Sequence, residues 1–166
     1  MGVSIQAIKP TEFIADRNTE LSDEQWDSGA QLIYTLDFTP IKHLSKFKEG
    51  YYKCLDICDT SLDLSYGGYG RFRKAVCAPI HGDWEEYIEK IDNGTEPCNG
   101  AFAEFLYFAD NEGCFDYAIA QKLLKDFKDY RDIVYPTLSS DLQSDYNQYT
   151  QILRECVAIQ GVVYYS

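Results

Sequence analysis

The chain has 166 residues, 27 acidic against 15 basic, and a formal net charge of -12 with 45% hydrophobic residues. Surface scaling for a chain of this size gives roughly 28,000 Å² exposed when unfolded and roughly 8,400 Å² when folded, so the core needs neither disulfides nor metal. The excess of carboxylates opposes ordinary binding to DNA, RNA or an anionic membrane.

No stretch approaches the roughly 18 consecutive apolar residues of a membrane span. The opening Met1 to Pro10 lacks a basic segment leading into an apolar run, which reads as a cytoplasmic protein. The six cysteines include no C-x-x-C pair, and His43 and His81 are the only histidines. The expectation is therefore free thiols used as small hydrophobes, with no metal and no cofactor. Asn93-Gly94-Thr95 reads as a turn.

In chain order, Ser22 and Gln25 form a capping box, with Leu21 and Trp26 as its staple, so a short helix starts at Asp23. Gln31 to Phe38 favours extended structure. Thr39-Pro40 followed by Ile41, Leu44 and Phe47 predicts a helix that Gly50 ends. A strand is expected over 52–57. Tyr69, Phe72 and Val76 mark a helix over 69–77, stopped before Pro79. Asp83 caps the next one, and Phe102, Phe105, Leu106 and Phe108 make a third that should be central.

Two longer helices follow. Ile119, Leu123, Phe127 and Tyr130 form the stripe of one, and a capping box at Ser140 to Gln143 opens the other, which runs to Gly161. Val162 to Tyr165 is a terminal strand whose partner is either Val3 to Ala7 or the Tyr52 segment. The fold expected is a single mainly helical α+β domain over 1–166, with a small sheet of two or three short strands involving the N- and C-termini.

Two stretches could carry chemistry. Gly67, Gly68 and Gly70 lead into a helix beside Arg71, Arg73 and Lys74, a pattern whose amides and charges could hold a phosphate or nucleotide. It lacks the spacing of a Walker A or dinucleotide motif, and the plainer reading is a tight turn in which the arginines offset an acidic surface. Asp110 and Glu112 stand between two expected helices. They could pair as acid and base or bind a hard cation, or they form an interhelical turn in which one carboxylate pairs with Arg71 or Arg73. No nucleophile elbow or histidine-centred arrangement suggests an enzyme.

Tyr66-Gly67-Gly68-Tyr69-Gly70-Arg71-Phe72-Arg73, then Phe105 to Gly113, then Leu123-Leu124-Lys125-Asp126-Phe127 together resemble a set of small bacterial and phage proteins. Those pair a Gly/Tyr/Phe/Arg segment with a Ser-Asp-x-Glu-Gly turn and end on a helix and a short strand. Ala109 stands where that set has serine. The resemblance implies a shared domain and carries no activity with it.

Fourteen tyrosines interleaved with carboxylates suit a surface that docks on a basic protein. The function expected is an interaction module, of inhibitor or immunity type, that covers a basic surface of its partner. The alternatives are a phosphate or nucleotide site at the Gly67–Gly70 turn, and a mimic of nucleic acid.

Overall fold

The computed structural model describes residues 1–35, 40–108 and 113–166. Its backbone is organised around β1 (Gly2–Ala15), a strand paired along both edges. On one edge lie β3 (Gly50–Leu55), against Lys9 to Ala15, and β4 (Ser61–Ser65), against Gly2 to Gln6. On the other, Ile5 to Ile8 pair with β6 (Val162–Tyr165). β2 (Ala30–Ile33) and β5 (Gly113–Asp116) complete a six-stranded antiparallel sheet of order β2-β3-β1-β6-β5, with β4 beside β1.

Six strands replace the expected sheet of two or three. β1 runs through Pro10 because a register shift between Pro10 and Glu12 accommodates it, as proline requires within a ladder, and a second follows between Phe13 and Ala15. β4 does alternate, with Leu62 and Leu64 turned inward between Ser61, Asp63 and Ser65, but it spans only five residues, whereas β5 is a four-residue strand buried throughout and shows no alternation. The sheet also curls. Cys114 N donates to Tyr34 O at 2.9 Å and Asp116 N to His43 O at 3.1 Å, so the chain just beyond β2 reaches β5 at the opposite end.

The helices are α1 (Asp23–Asp27), α2 (Tyr66–His81), α3 (Trp84–Asp92), α4 (Ala103–Tyr107), α5 (Tyr117–Asp129), α6 (Arg131–Val134) and α7 (Ser140–Ile159). Among the described residues none is long and apolar enough to cross a membrane. Val3, Ile5, Ala7, Phe115, Val163 and Tyr165 point from one face of the sheet into the main core, where Tyr69, Phe72, Phe105, Phe127 and Tyr149 meet them. Ile8, Cys114 and Val162, from the opposite face, meet Ile33, Leu44 and Tyr52 in a second, smaller core inside the curl. This two-sided division follows the period of two along each strand. Accessible surface totals 8432 Å², in line with the scaling estimate of about 8,400 Å².

Aromatic rings dominate the main core, and their polar tips are satisfied there. Tyr69 Oη donates to Tyr165 Oη at 3.2 Å, and Tyr165 and Tyr149 share a 2.8 Å hydrogen bond. Burial pushes the Tyr149 and Tyr165 phenols well above the ordinary range. Gly161 lies where the chain enters β6, and a Cβ there would sit 2.2 Å from the Ile8 carbonyl oxygen. The residue is needed for close approach of two backbones.

Three local expectations are corrected. Residues 40–49 form no helix. The Ser45 and Lys46 amides donate to Asp116 Oδ2 and His43 O accepts from Asp116 N, so these backbone groups serve β5 instead of one another. α2 continues through Pro79 to His81 and ends at Gly82, whose φ of 79° suits glycine; proline so near the end of a helix removes one hydrogen bond without breaking the rest. α7 has Ser139 as its N-cap, and that hydroxyl donates to Asp141 instead of accepting a helix amide.

Asp116 is fully buried. Besides the two amides above, its Oδ1 accepts from Ala118 N at 3.1 Å and Ile119 N at 3.4 Å, capping α5. Asp116→Asn sets an NH₂ against two of those N–H groups. It should lower unfolding free energy by about 2–5 kcal/mol, since an unsatisfied buried donor costs about 1–3 kcal/mol. Urea denaturation should show Asp141→Asn, at the surface, costing far less than Asp116→Asn.

Candidate functional site

Ser65 is the N-cap of α2 and its hydroxyl accepts from Gly68 N at 2.9 Å. Gly67, Gly68 and Gly70 therefore lie within the first turns of the helix, with one of the free amides already satisfied. Arg71 and Arg73 leave that turn in different directions. Arg71 is exposed and pairs with Asp141 on α7 at 2.9 Å. Arg73 is buried, its guanidinium 4.6 Å from the Tyr69 ring centre and 5.0 Å from that of Trp84. Its Nη1 donates to Phe108 O at 2.6 Å. Arg73 thus ties α2 to the end of α4 as part of the core. Asp110 and Glu112 lie outside the described residues, and so does their expected pairing with either arginine.

The remaining polar groups of the interior are positioned by one another. His43 is buried, with Nε2 at 3.0 Å from Glu104 O and its ring edge-on to Phe108. Burial lowers its pKa and outweighs the carbonyl contacts that raise it. Lys122 bridges Glu104 at 2.6 Å and Asp126 at 2.7 Å. Asp126 in turn accepts from Phe102 N at 2.9 Å and holds that residue at φ 60°. Burial pushes the Glu104 carboxyl up, against the opposing pull of Lys122. His81 stacks on Tyr87 with ring centres 3.8 Å apart.

Cys77, Cys114 and Cys156 are buried and fit a packing role, whereas Cys98 is exposed. Burial raises Cys54 and Cys77 to about 11, and Cys114, which hydrogen-bonds Tyr34 O, is pushed higher still. Among the described residues no three His, Cys, Asp or Glu side chains form a group able to hold a metal ion.

Not one of the fourteen tyrosines is exposed; each is buried or half-buried. Among the described residues, the exposed aromatic side chains are instead Trp26, 50% exposed, and Phe13, 43% exposed. Both rest edge-on against β3, Trp26 on Tyr51 at 5.5 Å and Phe13 on Tyr52 at 5.3 Å. Between them α1 and β1 form a groove of about 300 Å³, with Glu12, Phe13, Glu24 and Lys53 among its walls. Glu12 and Asp16 are matched by Lys53 and Lys48. Glu20, Asp23, Glu24 and Asp27 are exposed, and none of them is in an ion pair among the described residues. Lys48 also lies 5.0 Å from the Phe13 ring centre, a cation already seated on this aromatic surface. The capping box of Ser22 and Gln25 fixes α1 and so presents Trp26.

No family model, curated protein or solved structure matches the chain.

The two arginines make a direct comparison. Arg73→Ala removes a buried hydrogen bond and two ring contacts and should cost about 2–4 kcal/mol. Arg71→Ala should cost less than about 1 kcal/mol. Thermal and urea unfolding of the two variants measure the difference, and equal losses would contradict the placement of Arg73 in the core.

Proposed function

We propose that the protein is a docking module that covers a basic surface of a partner protein, in the manner of an inhibitor or immunity protein. The observation that carries this reading is the half-exposed Trp26, supported from below by Tyr51 and surrounded in sequence by Glu20, Asp23, Glu24 and Asp27. Unmatched carboxylates steer a positive surface into contact and exclude wrong partners. An exposed indole beside them supplies contact area and a face for arginine or lysine, worth about 0.5–2 kcal/mol according to its desolvation. Tryptophan is favoured in such a place because it buries a large rigid area at small entropic cost.

Two variants test this reading. Trp26→Ala removes the anchor, and Asp23→Asn/Glu24→Gln/Asp27→Asn removes the charge without changing size. In quantitative recovery of partners from native host extract, at least one basic protein should be retained by the unmodified chain. Both variants should reduce its recovery by about tenfold, which corresponds to about 1.4 kcal/mol. The charge variant should also lose most of the salt dependence of association. Recovery of the same partners by all three proteins, or of acidic partners only, overturns the proposal.

A further inference from the structure

We infer that the cleft where α5, α6 and α7 meet binds a compact multivalent oxyanion of the phosphoryl type, separately from the docking face. The cleft has a volume of about 350 Å³ and is lined by Phe127, Lys128, Arg131, Asn147, Thr150 and Arg154, a size within the usual range of small-ligand sites. Asn147, Thr150 and Arg154 follow one another at intervals of three and four along α7, so one stripe of that helix faces the cleft. Lys128 closes it from the last turn of α5 and Arg131 from α6.

The charge at this place runs against the rest of the molecule. In a chain of net charge -12, Arg17, Lys48, Lys53, Arg71, Lys74, Lys122 and Lys125 each have a carboxylate partner. Among the described residues, Lys9, Lys42, Lys46, Lys90, Lys128, Arg131 and Arg154 are in no such pair, and of these Lys128, Arg131 and Arg154 line the one cleft. Cations lining the same cleft repel one another, and a bound dianion relieves that repulsion.

Arg131 is also held in advance of any ligand. Its guanidinium lies 4.0 Å from the Tyr135 ring centre and 5.5 Å from that of Tyr146, and Nη2 donates to Asn147 Oδ1 at 3.0 Å. Asn147 Nδ2 donates in turn to Tyr135 Oη at 3.1 Å. The partner here is a neutral amide, so the guanidinium charge is oriented without being neutralised. Among the described residues, Arg154 makes only a long 3.5 Å contact with Gln151 Oε1. Guanidinium forks match the tetrahedral oxygens of a phosphoryl group, and lysine adds a point charge. A long polyanion is disfavoured because it would have to approach the acidic surface beyond the cleft, which selects a small ligand.

The test uses inorganic phosphate and pyrophosphate at constant ionic strength, with thermal unfolding and titration calorimetry as readouts. Lys128→Gln/Arg154→Gln changes two exposed side chains that make no ion pair, so the fold should be retained; circular dichroism and the unliganded melting temperature check this. For the unmodified chain, pyrophosphate should bind saturably and raise the melting temperature. The double variant should bind it at least about tenfold more weakly, because two charge-assisted contacts are removed. Arg71→Ala should bind it as the unmodified chain does. Absence of saturable binding, equal binding by the double variant, or loss of binding in Arg71→Ala overturns the inference.

Discussion

Four backbone N–H groups, from Ser45, Lys46, Ala118 and Ile119, converge on the buried carboxylate of Asp116. An acid in that position starts α5, ends β5 and holds residues 43–46 against the sheet edge. Burying a charge is tolerable only where its oxygens are fully engaged, and that condition is met here by amides from two distant parts of the chain. With those residues in place, Leu44 packs against Ile8, Ile33, Tyr52 and Val162 within the curl. The other face of the sheet is taken by the aromatic core and the helices.

With both faces of the sheet committed to packing, the surfaces left for recognition are at the outside of the molecule. α1 and the far half of β1 carry Trp26, Phe13 and unmatched carboxylates. α5, α6 and α7 carry the cleft with Lys128, Arg131 and Arg154. The two places are built on different elements and have opposite charge. The tyrosines, which composition alone would assign to a binding surface, instead fill the interior. Tyr69, Tyr149 and Tyr165 share hydrogen bonds that make a polar ring tip compatible with complete burial.

Much of the helical part was legible from the sequence because local signals decide it. The Ser22 to Gln25 capping box, the Asp83 cap and the stripe Ile119, Leu123, Phe127 all mark elements that form. The sheet was less legible. β4 alternates over only five residues and follows an Asp-rich stretch that masks it, β5 is buried throughout, and β1 hides its length behind Pro10 and its register shifts. Thr39-Pro40 has the form of a helix start, but the helix expected after it does not form, because the Asp116 contacts that claim these amides come from about seventy residues away. At the candidate sites the same limit applies. The glycines and arginines of 67–73 are adjacent in sequence but diverge in space, whereas Lys128, Arg131 and Arg154 come together only when α7 packs against α5. Their spacing along α7 and α5 was visible, but which faces would meet was not.

On the function and ligand proposed above, one acidic chain presents two separate recognition surfaces of opposite charge. Backbone amide chemical-shift mapping of a single ¹⁵N-labelled sample, titrated in parallel with pyrophosphate and with a short arginine-rich peptide, tests it most directly. Pyrophosphate should perturb residues around 127–131 and 147–154, and the peptide should perturb 12–28 and 51–53, with little overlap between the two sets. Perturbation of one shared set by both probes, or of neither region by its own probe, would contradict it.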